Sequence, residues 1–176
     1  MKDEQYLAAA NFWKRKDSAA NRMDASEVWK EADRYLTSHK VCALATGGGD
    51  CIRCTPLEYS WHDGAVWIFS EGGRKFTGLL LNKAVSLAVF DLNTGFGGLH
   101  SLQMNGTAEV FDDVDDSRYV AEAASRKIPL ATLRNLDEPM YLIRIEPDEV
   151  TLLNSDFRKR GFGSRQTAGK LQEGQL

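Results

Sequence analysis

From residue 40 to residue 111 the apolar positions recur with a period near two, whereas the preceding residues follow the wider helical spacing. Val41-Cys42-Ala43-Leu44-Ala45-Thr46 reads as a strand, Gly47-Gly48-Gly49-Asp50 as a turn, and residues 51–60 as the antiparallel return. Trp61-His62-Asp63-Gly64 is a second turn, because the Asp-Gly pair supplies the positive φ that tight hairpins need. Residues 65–70 form the third strand. Residues 84–91 are a nearly continuous apolar run, suited to a central strand. Residues 99–111 make a long strand in which Gly106 implies a bulge or a close backbone approach. Two more strands, 141–145 and 149–153, are interrupted at Pro147.

Helical spacing predicts a weak helix over residues 4–14 and a stronger one over 24–38. In the second, Asp24 stands three residues before Glu27 in a capping-box-like start, and Val28, Ala32, Tyr35 and Leu36 line one face. Residues 74–82 predict a short helix with Phe76, Leu79 and Leu80 on its apolar side and Asn82 as its stop. Gly78 inside it costs about 1 kcal/mol relative to alanine. Residues 114–126 are acidic at the start and basic at the end, which suits a helix dipole. The pattern therefore predicts a mainly β, α+β domain: a small six-stranded antiparallel barrel with one helix between its third and fourth strands and further helices around it. Residues 1–39 are expected as a helical extension packed on the barrel, 40–154 as the barrel, and 155–176 as a mobile basic tail carrying Arg158, Lys159, Arg160, Arg165 and Lys170 among glycines.

With 176 residues, 43% of them hydrophobic, the chain has material for one good core and no composition shift that marks a second domain. A net charge of -3 and a pI near 5.7 argue against general nucleic-acid binding, which needs a basic face. No window approaches the length and apolarity of a membrane span, and the first ten residues lack the apolar run of a signal peptide, so no membrane contact is expected. Three cysteines without a secretory context read as reduced thiols of a cytoplasmic protein. Cys51 and Cys54 are offset by three on a strand and point to opposite faces, and no second ligand pair follows, so no metal site is expected.

The chemistry gathers at the ends of successive strands. Arg53, Cys54, Thr55 and Pro56 lie on the second strand, Phe69 and Ser70 end the third, Arg74 and Lys75 open the short helix, and Gln103 lies on the long strand. Two or three cations, a hydroxyl and free backbone N–H groups suit a phosphate dianion. Cations at a helix start oppose the macrodipole, and an anionic ligand would explain them.

The order Leu44-Ala45-Thr46, Arg53-Cys54-Thr55-Pro56, Val66-Trp67-Ile68-Phe69-Ser70, Arg74-Lys75, Asn82-Lys83-Ala84-Val85-Ser86-Leu87, Gln103 and Gly106-Thr107-Ala108-Glu109-Val110 resembles the pyridoxamine 5'-phosphate oxidase-like FMN-binding split barrels. The resemblance implies a homodimer with flavin mononucleotide (FMN) at the subunit interface and a small-molecule substrate or electron donor. Arg53 and Thr55 would contact phosphate and ribityl chain, Ser70, Arg74 and Lys75 the phosphate, and Gln103 the flavin. Trp61, Trp67 and Phe96 are available for the dimer contact. The chain departs from the vitamin B6 oxidases at Asn154-Ser155-Asp156-Phe157-Arg158-Lys159-Arg160, which contains neither their Arg-x-His motif nor their tryptophan.

The expected function is an FMN-dependent oxidoreductase with an unassigned substrate. Other readings are a haem-binding or haem-degrading split barrel with His39, His62 or His100 as axial ligand, a non-catalytic flavin-binding stress module, and a deazaflavin reductase. Taken singly, His62 reads as a solvated turn residue, His39 as a helix C-terminal cap, and His100, after the glycine-rich connection 92–98, as a substrate-side group.

Overall fold

The computed structural model describes residues 1–91 and 98–170. Most of the glycine-rich connection, Phe96 included, therefore lies outside the described residues, as do the last six residues of the expected tail. Three helices lead in: α1 (Asp3–Ala10), α2 (Phe12–Ser18) and α3 (Ala25–Ser38). The strands and remaining helices are β1 (Val41–Gly48), β2 (Cys51–Glu58), β3 (Ser60–His62), β4 (Ala65–Ser70), α4 (Lys75–Leu81), β5 (Ala84–Phe90), β6 (Ser101–Phe111), α5 (Ser117–Ser125), α6 (Leu130–Arg134), β7 (Tyr141–Leu153) and β8 (Arg165–Gly169).

All eight strands join one antiparallel sheet in the order β2-β1-β5-β6-β7-β4-β3, with β8 on β7. β2 and β3 sit at opposite ends of that order, yet only Tyr59 separates them in the chain. The sheet must therefore curl until its two ends nearly meet, which makes it a split barrel. Tyr59 is the corner: its N–H donates to the Lys40 carbonyl at 2.8 Å and its hydroxyl to the Leu36 carbonyl at 2.9 Å. The expected strands are present, the last two of them joined as β7, and the short edge strands β3 and β8 extend the sheet.

One cross-strand row, Thr55–Leu44–Leu87–Met104–Val150–Ala168, carries the core, and its members from Leu44 to Ala168 are all buried. Val28, Ala32 and Leu36 of α3 close one side of it. Asp24 is the N-cap of α3, but its side chain makes no capping bond, so the expected capping box does not form. A second core lies outside β4, where Trp67, Phe111, Tyr119, Ala123, Leu133 and Leu142 pack under α5 and α6.

The expected turn at Asp63-Gly64 forms, with φ of 51° and 66°. The two strands expected around Pro147 are one strand: Pro147 pairs with Gly106 where the register of β6 and β7 shifts. A side chain at Gly106 would collide with the Glu146 carbonyl, so the close approach read from the sequence is real. The helix expected over residues 4–14 is broken into α1 and α2, and neither buries a residue.

The largest departure is the segment expected to be a mobile tail. Residues 155–160 form a 3-10 helix that buries Phe157, and β8 pairs with β7 from Arg165 to Gly169. Gln166 is buried, accepts from the Met23 N–H at 2.9 Å and donates to the Gly163 carbonyl at 2.7 Å. The segment is held because alternate residues Gln166 and Ala168 point inward from a sheet that had a free edge.

Candidate functional site

Arg53 and Thr55 share the inner face of β2 with the core, opposite Thr46 and Leu44 of β1. Cys54 and Pro56, one residue out of phase, face the outer surface, where they are exposed. Gln103 is on that same outer surface: the row Pro56–Ala43–Ala88–Gln103 runs across four strands. Within one chain, then, the sheet separates Gln103, Cys54 and Pro56 from Arg53 and Thr55. Phe69 also points away, stacking edge-on against Tyr119 at 5.1 Å in the second core.

Ser70 ends β4 on the inner side, opposite Tyr141. The chain then turns through Gly72 and Gly73, whose φ values of 123° and 96° are costly for any residue with a Cβ. The Gly72 N–H donates to Ser70 Oγ at 3.3 Å. Lys75, the first residue of α4, is only 6% exposed and donates from Nζ to the Gly72 carbonyl. Burial lowers its pKa; Glu71 pulls the other way and the nearby Arg53 guanidinium adds to the lowering. Arg53, Ser70 and Lys75 are thereby brought to one place, with exposed Arg74 beside them.

The position of α4 follows from three small residues. A Cβ on Gly78 would lie 2.9 Å from the Gly47 nitrogen and 3.0 Å from Thr46 Oγ1, so the helix lies directly on β1. This accounts for a glycine inside a helix. Thr46, paired with Arg53, is buried and its hydroxyl has no hydrogen-bond partner among the described residues. A buried lysine and a buried hydroxyl that lack an ion-pair and a hydrogen-bond partner among the described residues, a neighbouring arginine and a two-glycine turn fit an anionic ligand better than a closed structural network.

Sequence reasoning missed a different polar cluster. Glu122 of α5 is 1% exposed and binds Arg126 Nε at 2.5 Å, His62 Nε2 at 2.6 Å and the Ser60 hydroxyl. His62 also meets Asp63 at 2.9 Å and stacks on Trp67 with centroids 5.4 Å apart. It is thus a half-buried anchor of α5 and not the solvated turn residue expected. Trp67 is covered inside the chain, which removes it from the surfaces available for a dimer contact. His39 does cap α3, with Nδ1 at 2.7 Å from the Tyr35 carbonyl, and its Nε2 meets Asp91 at 2.8 Å. His100 sits 3.3 Å from the other Asp91 oxygen. None of the three histidines lies with the Arg53–Lys75 group in these contacts.

Residues 28–154 match the family pattern of pyridoxamine 5'-phosphate oxidase. No curated protein matches the sequence. Among solved structures, the chain is similar to an FAD-binding protein from Mesorhizobium loti, with 24% identity over 69% of this chain and 89% of that one and a TM-score of 0.54. The haem storage protein HutZ from Vibrio cholerae is 17% identical over 71% and 91% of the two chains, with a TM-score of 0.53. General stress protein 26 from Bacillus anthracis is 16% identical over 70% and 92%, with a TM-score of 0.50. These likenesses carry the fold; the sequence pattern spans most of the barrel, and the chain belongs to the pyridoxamine 5'-phosphate oxidase family.

Proposed function

We propose that the protein binds FMN at the Arg53–Ser70–Lys75 group and acts as a cytoplasmic FMN-dependent oxidoreductase on a small-molecule substrate or electron donor. The observation that carries the reading is Lys75: a cation 6% exposed whose one hydrogen-bond partner among the described residues is a backbone carbonyl. A phosphate dianion there would restore its charge balance, relieve its repulsion with Arg53 and take a hydrogen bond from Ser70. Arg74, at the exposed rim, adds a third cation. When bound, the flavin supplies the redox chemistry. The chain's own residues hold the phosphate, position the ribityl chain along Thr55 and exclude water at the buried end. The three free cysteines, Cys42, Cys51 and Cys54, agree with a reducing compartment.

The outer sheet face supports a homodimer. Ala43, Ala45 and Ala88 make it flat, and Val41, Ile52 and Phe90 are exposed around them, Ile52 at 85%. A second copy on that face would bring its own Cys54, Pro56 and Gln103 toward the interface, which would account for site residues on both sides of one sheet.

Haem binding, named for one of the similar structures, is the second reading. His39 and His62 are disfavoured as axial ligands because both ring nitrogens of each are engaged, His39 by Tyr35 and Asp91 and His62 by Asp63 and Glu122, which leaves His100, held through Nδ1 by Asp91, as the candidate for that reading. Oxidation of vitamin B6 is disfavoured too, since residues 154–160 lack the Arg-x-His motif and Arg160 is bound to Glu27 and Glu31.

Titration with FMN and with riboflavin, followed by flavin fluorescence, tests the phosphate assignment. Wild type is expected to prefer FMN by roughly a hundredfold, the worth of two charge-assisted hydrogen bonds. The Arg74→Ala/Lys75→Ala double variant should lose that preference while remaining folded. Equal preference in both proteins would remove the assignment.

A further inference from the structure

We infer that the face formed by α1, α2 and the 155–165 segment is a docking surface for anionic phospholipid headgroups. No periodicity or motif joins these parts along the chain. Residues 1–22, α1 included, carry five cations and three acids, and residues 155–165 carry four cations and one acid, in a chain whose net charge is -3. The fold brings the two together. Asn21 Nδ2 donates to the Gly161 carbonyl at 3.0 Å, the Gly163 N–H donates back to the Asn21 carbonyl at 2.9 Å, and the Arg165 guanidinium lies 4.7 Å over the Trp13 ring.

Some of this charge is neutralised within the chain: Arg160 by Glu27 and Glu31, Lys159 by Asp156, and Arg165 by Asp17. Lys14, Arg15, Lys16, Arg22 and Arg158 have no carboxylate partner among the described residues, although Arg15 donates to the Ala8 carbonyl and Arg158 to Ser164. Lys16 lies 4.9 Å from the centroid of the Trp13 ring. The surface is thus basic in an otherwise acidic molecule, and its charge complements an anionic partner.

Its apolar residues select the kind of anion. α1 and α2 bury nothing, and Tyr6, Leu7, Phe12 and Trp13 are all exposed, Leu7 at 64%. Aromatic and aliphatic side chains beside lysines and arginines are the composition of a segment that lies in the headgroup region, the rings and Leu7 entering the acyl boundary while the cations remain at the phosphates. A nucleic acid would use the rings for stacking but has no use for Leu7. Among the described residues no helix is long and apolar enough to cross a membrane, and the contact inferred is a peripheral one.

The test is co-sedimentation of the full chain with phosphatidylcholine vesicles made with and without phosphatidylserine. Binding is expected only with phosphatidylserine and should fall steeply as salt is added. Lys14→Ala/Arg15→Ala/Lys16→Ala should weaken it on the order of a hundredfold, at about fivefold per cation. Leu7→Ala/Phe12→Ala, which keeps the charge, should weaken it as well. Because neither helix buries a residue, both variants should keep the wild-type circular dichroism and melting temperature. Equal binding to both vesicles, an unaffected lysine-arginine variant, or tighter capture of single-stranded DNA than of vesicles would overturn the inference. So would a change in oligomeric mass on removing residues 1–18, which would mean that the two helices cover a second copy of the chain.

Discussion

Arg53 of β2 and Lys75 of α4 are like charges held close enough that the guanidinium helps depress the lysine's pKa, and no described carboxylate forms an ion pair with either. They come from separate elements and meet because α4 lies flat on β1, the strand paired with β2. Burial of Lys75 and its repulsion with Arg53 oppose folding, Glu71 offsets part of that cost, and an anion bound there would contribute stability.

FMN should therefore raise the melting temperature of the wild-type protein, by the equivalent of about 2.7 kcal/mol at a hundredfold excess over its Kd. Lys75→Met, which keeps the buried stem and removes the charge, should melt no lower than wild type without FMN and gain much less with it. Differential scanning fluorimetry with and without FMN checks both halves.

Gly78→Ala is expected to destabilise by about 1–2 kcal/mol, since overpacking against the Gly47 backbone outweighs alanine's better helix propensity. The displacement should carry Lys75 with it. FMN affinity should therefore fall, although Gly78 itself carries no group that would bind the ligand. Urea unfolding and a fluorescence titration on the same preparation measure the two effects.

The His62–Glu122 contact gives a pH dependence of defined sign. Partial burial pulls the His62 pKa down, but hydrogen bonds and charge from Asp63 and Glu122 outweigh it, and the pKa lies above the ordinary 6.5. Stability from this contact is complete below pH 6.5 and is lost as pH rises through the higher folded-state value. The difference in urea midpoint between wild type and His62→Gln should be largest near pH 6 and shrink toward pH 9.

Gln166→Ala should cost about 1–3 kcal/mol, because it leaves the Met23 N–H without its acceptor at a buried position. A free tail would give no such effect. Chemical denaturation of the single variant decides between an anchored and a mobile segment.

Much of the barrel was legible because its signals are local. Asp63-Gly64 can form its turn from two residues alone, Gly106 marks its own close contact, and the continuous apolar run at 84–91 became the interior strand β5. What escaped depends on residues far apart in the chain. His62 and Glu122 are sixty positions apart, and no periodicity announces a carboxylate at 1% exposure. The segment after Asn154 has only two inward residues in a five-residue strand, too few to register as alternation, although Phe157 and Phe162 were available hints against a purely polar tail. The split of the candidate site was readable. The period of two that sets Cys51 and Cys54 on opposite faces also sets Arg53 and Thr55 opposite Cys54 and Pro56. Which face would be inner was not readable, since that depends on how the sheet curls at Tyr59.

Flavin binding at the Arg53–Lys75 group is decided by the visible spectrum of the purified full chain after incubation with excess FMN and removal of the free cofactor. The paired near-ultraviolet and blue bands of an oxidised flavin are expected, with FMN recovered at one per chain on denaturation and lost in the Arg74→Ala/Lys75→Ala variant. A colourless protein, or one that takes up haem with a Soret band and leaves FMN behind, would contradict it.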